Sequence, residues 1–482
     1  MYYRLALLYS ILAAAGASTE TAMFRGSPAH SGVYDSPGPT RLDLKWRFKT
    51  GGKVRSSPAI ANGAVLFGSE DGHLYCLNAA DGTLRWKFST AGNLSSSPAV
   101  ASGSVFFTGG DGDIYALNLE TGKMRWVVKT GRIRPWLYGK GKIQTWDYWL
   151  PSPVVAGGMV YSGVLDGRVL ALDPETGAVK WQFDTASPIR STPAVSAGSL
   201  YIGDMNGRLH ALDAATGTEK WHADTTLAGF PGGEIQSSPA VAAGTVFFGA
   251  RDGYLHAADA ATGQEKWKFS HDGSWVNTSP AVDAGTVFCG SSDGRFVQAV
   301  DAQTGKEKWR FSAKDRVFSS PAVAEGKVYV ATHGADVVAL DAATGKQLGQ
   351  TQTEGAVQSS PVLDQGVLYV GSDDSALYAF TERPRKIRNA AAVEPSLLTD
   401  YVGRYRFGAF RSAVKVENGQ LVLDLGPMGS VALTPLSPRR FFFEAADIEV
   451  EFERDTAGSV TGLEFQQGDL EFRFSREPAA GN

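Results

Sequence analysis

Two arginines, three amides and a tryptophan stand at matched offsets in this chain. Arg55, Arg190, Gln236, Asn277 and Gln358 each lie three residues before a proline, and Trp275 lies five before one. A guanidinium offers a planar fork of donors that matches a carboxylate. Amides donate and accept, and an indole supplies a broad apolar face. Set around one axis, these groups would hold an acidic ligand or an acidic loop of a partner. The alternative is that each arginine pairs with Glu234 or Asp147 and only keeps a channel mouth solvated. A second cluster falls in residues 132–150, where Trp136, Trp146 and Trp149 accompany Asp147, Tyr138, Tyr148, Arg132 and Arg134. This is binding chemistry. The chain has no Gly-x-Ser-x-Gly elbow and no phosphate-cradling glycine loop. No pair among its seven histidines has metal-ligand spacing. The expectation is a binding face with no catalytic residue and no metal.

The elements that position these residues are copies of one unit. In residues 237–269, Ser237-Ser238-Pro239-Ala240-Val241 reads as a first strand. Residues 245–249 form a second, rich in β-branched and aromatic side chains. Asp252-Gly253 is a hairpin signal, because glycine tolerates the positive φ of the turn. Residues 254–258 read as a third strand, and Asp259 to Gly263 as a turn. A fourth surrounds Trp267. The proline recurs at positions 58, 98, 153, 193, 239, 280, 321 and 361. The closing tryptophan recurs at 46, 86, 126, 181, 221, 267 and 309, with Leu348 in the eighth place. Four strands in a period near 40 residues predict a β-propeller. Trp46 precedes the first Ser-Ser-Pro, so residues 43–49 should supply the outer strand of the last blade and close an eight-bladed ring. Closure removes an open edge.

Register separates scaffold from channel. Four residues before each proline stand Val54, Leu94, Trp149, Ile189, Ile235, Val276, Val317 and Val357, all apolar and expected to pack. Side chains alternate along a strand, so the residues three and five before the proline face the other way. These vary from blade to blade: Arg55, Ser95, Leu150, Arg190, Gln236, Asn277, Phe318 and Gln358 in one set, and Lys53, Asn93, Tyr148, Pro188, Glu234, Trp275, Arg316 and Ala356 in the other. Variation inside a repeat suits a ligand-facing funnel, and a solvated mouth explains it equally. The insertion at residues 132–150 stretches one interval to 55 residues and should lie on the same face as the Asp-Gly hairpins, where repeat proteins carry function. It is either a ligand or partner contact or a structural loop covering a blade edge.

The segments Leu-Asp-Ala-Ala-Thr-Gly-Thr-Glu-Lys-Trp (residues 212–221) and Ala-Asp-Ala-Ala-Thr-Gly-Gln-Glu-Lys-Trp (258–267), each preceded by a Ser/Thr-Pro-Ala-Val strand and a Gly-containing hairpin, carry a family likeness. The chain resembles the pyrroloquinoline-quinone (PQQ)-type propeller repeat over roughly residues 42–380. Phe24 to Gly32 is similar to the lead-in segment found before such propellers. The resemblance implies the fold and leaves function open between quinoprotein dehydrogenases and non-catalytic assembly scaffolds of the BamB type. The dehydrogenases close adjacent cysteines over the cofactor and hold calcium with a Glu/Asn/Asp set. This chain has no adjacent cysteines, and that set finds no matching positions. No cofactor is therefore expected, with PQQ and calcium belonging only to the alternative of a reduced-type dehydrogenase. A third reading is carbohydrate binding by the extra aromatics.

Composition agrees with a folded, exported protein. The 482 residues are 43% hydrophobic, with a formal net charge of −4, which gives no electrostatic footprint for nucleic acid. Residues 1–17 carry one basic residue, a short apolar run and Ala-Gly-Ala, a secretory signal pattern too short to remain as a membrane span. A periplasmic or secreted monomer is expected, meeting a protein partner or small ligand at the channel mouth. Cys76 and Cys289 fall in distant blades, out of disulfide range, and read as small buried hydrophobes. Residues 18–41 lead in, 42–380 form the propeller, and 381–396, with Arg383, Arg385, Lys386 and Arg388 around Pro384, read as a linker. Residues 397–476 lose the repeat and show seven alternating strands with an Asn418-Gly419 hairpin. The segments Asp-Tyr-Val-Gly-Arg-Tyr-Arg-Phe and residues 441–465 resemble the small lipocalin-like β-barrel that trails some exported serine hydrolases, a domain that contributes no catalytic residue.

Overall fold

The computed structural model describes residues 22–131, 150–225, 233–383, 390–408, 410–426, 429–443, 448–467 and 470–478. The chain divides after Arg383 into two compact units.

The first unit is an eight-bladed propeller of four-stranded antiparallel sheets. Blade 5 shows the plan, with strands Ala240–Ala242, Thr245–Gly249, Tyr254–Asp259 and Glu265–Ser270. The eighth sheet takes its outer strand, Leu42–Lys49, from the start of the chain, paired antiparallel to Ala376–Glu382. The innermost strands start after the repeat proline and run three residues, shorter than the sequence suggests. Proline has no N–H for a ladder, and the residues before it make a different set of bonds, described below.

From blade 3 to blade 7 the turn before the outer strand is set by an aspartate, and in blade 2 by Asn118. Asp259 Oδ1 accepts from the backbone N–H groups of Ala261 and Thr262 and from the Thr262 hydroxyl. The turn glycine then lies against the tryptophan of the preceding blade. At Gly122 (φ +65°) a Cβ would stand 2.6 Å from the Trp86 ring, so no larger residue fits. The seven repeat tryptophans join neighbouring blades by donating their indole N–H to the next turn, as Trp46 does to the Ala79 carbonyl and Trp309 to that of Ala342.

The eighth tryptophan place corrects the sequence reading. Trp309 pairs opposite Ala299, and the equivalent partner of Ala339 is Gly349, one residue beyond Leu348. Leu348 is 37% exposed. The Thr40 carbonyl occupies the space where a Cβ on Gly349 would go. The lead-in chain thus fills the slot that a tryptophan fills elsewhere.

Cys76 and Cys289 are buried and unpaired with one another, and burial pushes both thiols up to about 12. His210 and His256 sit buried in the slot of Tyr75 and Tyr115. Each contacts a hairpin aspartate, Asp204 or Asp252, as those tyrosines do Asp71 and Asp111. Theirs is a core role.

The second unit is a closed barrel of eight antiparallel strands, from Gly403–Phe407 to Leu470–Arg476, which pair with each other to complete it. Sequence reading found seven. It passed over Ser430–Pro435, where one residue, Leu433, is buried and the alternation is faint. A short helix, Pro395–Asp400, stands where linker was expected to run into strand. Tyr401, Tyr405, Phe441, Phe452 and Phe474 belong to one core cluster inside the barrel, with Tyr401 stacked on Phe452 at 4.0 Å. A small barrel filled this way is a packed core.

Candidate functional site

The residue immediately before each repeat proline carries a hydroxyl, and the eight hydroxyls form a closed ring. The backbone N–H of Ser57 donates to Ser97 Oγ, Ser97 to Ser152, Ser152 to Thr192 Oγ1, and Thr192 to Ser238. Ser238 donates to Ser279, Ser279 to Ser320, Ser320 to Ser360, and Ser360 back to Ser57. The N–H of the residue before each proline lies outside the sheet ladder and is satisfied between blades instead.

Above this ring lies a cup of about 440 Å³. All eight residues three before the prolines line it: Arg55, Ser95, Leu150, Arg190, Gln236, Asn277, Phe318 and Gln358. Of the set five before, Trp275 and Arg316 line it. The apolar partners between them, Val54, Leu94, Ile189, Ile235, Val276, Val317 and Val357, are fully buried. Trp136, Trp146, Asp147 and Trp149 lie outside the described residues, as does the signal-like segment.

The lead-in chain crosses the opposite end of the channel. The carbonyls of Pro28, Ala29, Ser31 and Gly32 accept from the N–H groups of Val195, Val241, Val282 and Val323, in the innermost strands of blades 4 to 7. Ala22 bridges Val100 in blade 2. Phe24 lines the cup from this strap. Arg25, 1% exposed, donates to the Pro280 carbonyl at 3.0 Å, and burial lowers its pKa to about 10. His30 donates from Nδ1 to the Pro239 carbonyl at 3.2 Å, and burial, followed by the Arg25 charge, depresses it to about 3. The strap makes the channel a cup.

Arg55 finds partners that sequence reading missed. It meets Asp373 through two nitrogens, at 2.9 and 2.8 Å, and Glu70 at 3.3 Å, where Glu234 or Asp147 was the alternative considered. Asp373 also accepts from Lys53 at 3.1 Å and from the Gln358 amide at 3.3 Å. Burial works against the Arg55 charge, but the Asp373 bonds and charge outweigh it and hold the guanidinium above its usual range. Burial, with the like charge of Asp373, pushes Glu70 up. Arg55 therefore enters the cup with its charge already balanced, while Arg190, 6% exposed, lies three blades on.

The remaining wall is aromatic and polar. The Arg251 guanidinium lies 4.5 Å from the Trp275 ring centroid. Phe318 meets His333 edge-on at 5.8 Å, and burial, then the Arg316 charge, lowers His333. Ser292, Asp293 and His333 join the lining from the hairpins of blades 6 and 7. Sequence reading missed these hairpin residues and the hydroxyl ring. The ring was within reach, since the residue before each proline shares the parity of the residue three before it.

Among the described residues no group of three His, Cys, Asp or Glu side chains is placed to hold a metal ion. No helix among them is long and apolar enough to cross a membrane.

Solved structures share this fold. BamB from Moraxella catarrhalis is 21% identical with a TM-score of 0.56, over 70% of this chain and 99% of that one. Quinohemoprotein alcohol dehydrogenase from Comamonas testosteroni is 15% identical with a TM-score of 0.62, over 78% and 83%. A europium-containing methanol dehydrogenase is 16% identical with a TM-score of 0.62, over 75% and 98%. At these identities the likeness is one of fold. No curated protein matches the chain. Residues 388–482 match a family described as a domain of unknown function (DUF3471). Residues 43–136, 142–233, 229–315 and 295–387 each match the family described as outer membrane protein assembly factor BamB, and the chain belongs to that family.

Proposed function

We propose that this chain is an exported, non-catalytic propeller that binds a protein partner or a small ligand through the open end of its cup. One observation carries the reading. Eight positions of one register differ from blade to blade, while their neighbours stay uniform, and all eight converge on one cavity. A rigid ring bearing tryptophan and arginine presents residue types that dominate recognition hot spots. The basic, apolar and small-residue pattern of residues 1–17 supports export. Membership of a family described by outer membrane protein assembly favours a partner in the exported compartment.

The rival is a reduced-type PQQ-dependent dehydrogenase, a reading favoured by the quinoprotein neighbours. The residues present do not fit that cofactor with calcium. Among the described residues Asp293 is the one carboxylate lining the cup, and nearby Asp373 is taken by Arg55 and Lys53.

The test places a photo-cross-linking residue at Asn277, in the cup, and at Lys266, on an outer strand, in the exported full-length protein. A cross-linked species specific to position 277 is expected. Equal labelling from both positions would remove the cup as the binding face. Dye reduction on addition of PQQ, calcium and an alcohol would instead establish the rival.

A further inference from the structure

We propose that the cup takes a carbohydrate, with a pyranose ring stacked on Trp275. This rests on the cup being the binding face and names the class of ligand. Trp275 is 37% exposed, whereas the repeat tryptophans at 46, 126, 181 and 309 are all 9% or less. It lines the cup, and Arg251, which does not, lies over the ring at 4.5 Å. The guanidinium therefore backs the indole and steadies it, leaving the other face to the cavity. A flat apolar face exposed in a polar cavity suits a ligand that is apolar on its ring faces and polar at its rim.

The groups that would meet that rim are mostly uncharged hydrogen-bonding groups. Gln236, Asn277 and Gln358 bring amides, each able to donate and accept, the pattern a hydroxyl also shows. Asn277 stands two residues from Trp275 on the same segment. Its Oδ1 is shut off from solvent and has no hydrogen-bond partner among the described residues. The rest of the side chain is partly exposed to the cup, where an amide can exchange hydrogen bonds with a ligand hydroxyl. The charges argue against a simple anion. Arg55 is neutralised by Asp373 and Glu70, His333 is depressed, and Arg316 and Asp293 in the lining oppose one another in sign, which leaves Arg190 as the further cation of the lining, suited to a uronate carboxylate as well as to hydroxyls. A volume of about 440 Å³ lies in the range of small-ligand sites.

The experiment uses the full-length protein on an array of neutral and uronate-containing oligosaccharides, followed by calorimetric titration with cellobiose, maltose, chitobiose and digalacturonate. Phthalate serves as a carboxylate without a sugar ring. Binding of at least one glycan is expected, weakened tenfold or more by Trp275→Ala and by Asn277→Ala and much less by Trp275→Phe. Far-UV circular dichroism and melting temperature should match the parent in each variant. A response to phthalate with none to any glycan overturns the inference and favours an acidic ligand. Glycan binding that survives Trp275→Ala places the sugar elsewhere and also overturns it. With no response to any probe the carbohydrate assignment falls, while the cross-link from position 277 still decides independently whether the cup is a binding face.

Discussion

The backbone N–H of Ser360 donates to the hydroxyl of Ser57 at 2.9 Å, across 303 residues of sequence. This bond joins blade 8 to blade 1 and turns seven sequential links into a ring. It lies at the channel wall, while the pairing of Leu42–Lys49 with Ala376–Glu382 closes the same junction at the rim. The propeller is thus fastened twice at one seam, once at each radius.

Ser57→Ala should cost about 1–3 kcal/mol, because the Ser360 N–H is buried and loses its acceptor. Ser57→Thr should recover most of that loss, since Thr192 occupies the equivalent place in blade 4. Urea denaturation monitored by circular dichroism measures both. An alanine variant as stable as the parent would mean that the hydroxyl ring contributes nothing to closure.

Deleting Leu42–Lys49 removes the outer strand of the eighth sheet and bares the edge of Ala376–Glu382. The truncated protein should aggregate or melt well below the parent, as size-exclusion chromatography and scanning calorimetry would report. An unchanged melting temperature is incompatible with this closure.

Acid should destabilise the propeller through two buried histidines, one in the strap and one in the blades. His30 and His271 are buried and depressed to about 3, against an ordinary value of 6.5, chiefly by burial. Each stays neutral when folded and takes up a proton when unfolded. Stability is therefore full above pH 6.5 and falls as pH drops toward 3, by about 1.4 kcal/mol per pH unit for each group. His30→Gln should flatten part of the decline between pH 6 and 4 and leave the neutral-pH value little changed. A decline of the same slope in that variant would exonerate His30. Asp373 belongs to a lower window. Burial favours its protonation, but Arg55 outweighs that and holds it below its ordinary range, so its contribution persists until pH falls below that of a free aspartate.

The blade count, the closing strand and the cup's variable residues were legible because each rests on a periodic signal. Register alone told Arg55 and Gln236 apart from the packed Val54 and Ile235, since side-chain alternation is a property of a single strand. Partners were not legible. Asp373 reaches Arg55 from a hairpin 318 residues away, and nothing in the spacing of either residue encodes that meeting. The strap was hidden for the same reason: Phe24 to Gly32 has no repeat of its own and takes its shape from four separate blades. In the barrel, the strand Ser430–Pro435 escaped because a single buried leucine gives too little alternation to register.

Gly349 offers the sharpest test of how the lead-in chain is seated. Elsewhere a tryptophan takes this position, which by analogy argues for restoring a side chain. The structure argues the reverse. The Thr40 carbonyl fills the space beside Gly349, and the segment carrying it is tied down by the Tyr329 hydroxyl, which donates to the Pro39 carbonyl at 2.9 Å, and by Glu382, which accepts from the N–H groups of Thr40 and Arg41. Gly349→Ala should therefore destabilise by about 1–3 kcal/mol through overpacking, and Gly349→Trp by more. Leu348→Ala, next door and exposed, should stay within about 0.5 kcal/mol of the parent. Tyr329→Phe loosens the same segment, so its cost should not add in full to that of Gly349→Ala, the signature of residues acting through one shared element. Simple additivity, or an alanine at 349 that leaves the denaturation midpoint in place, would show that the segment is held elsewhere.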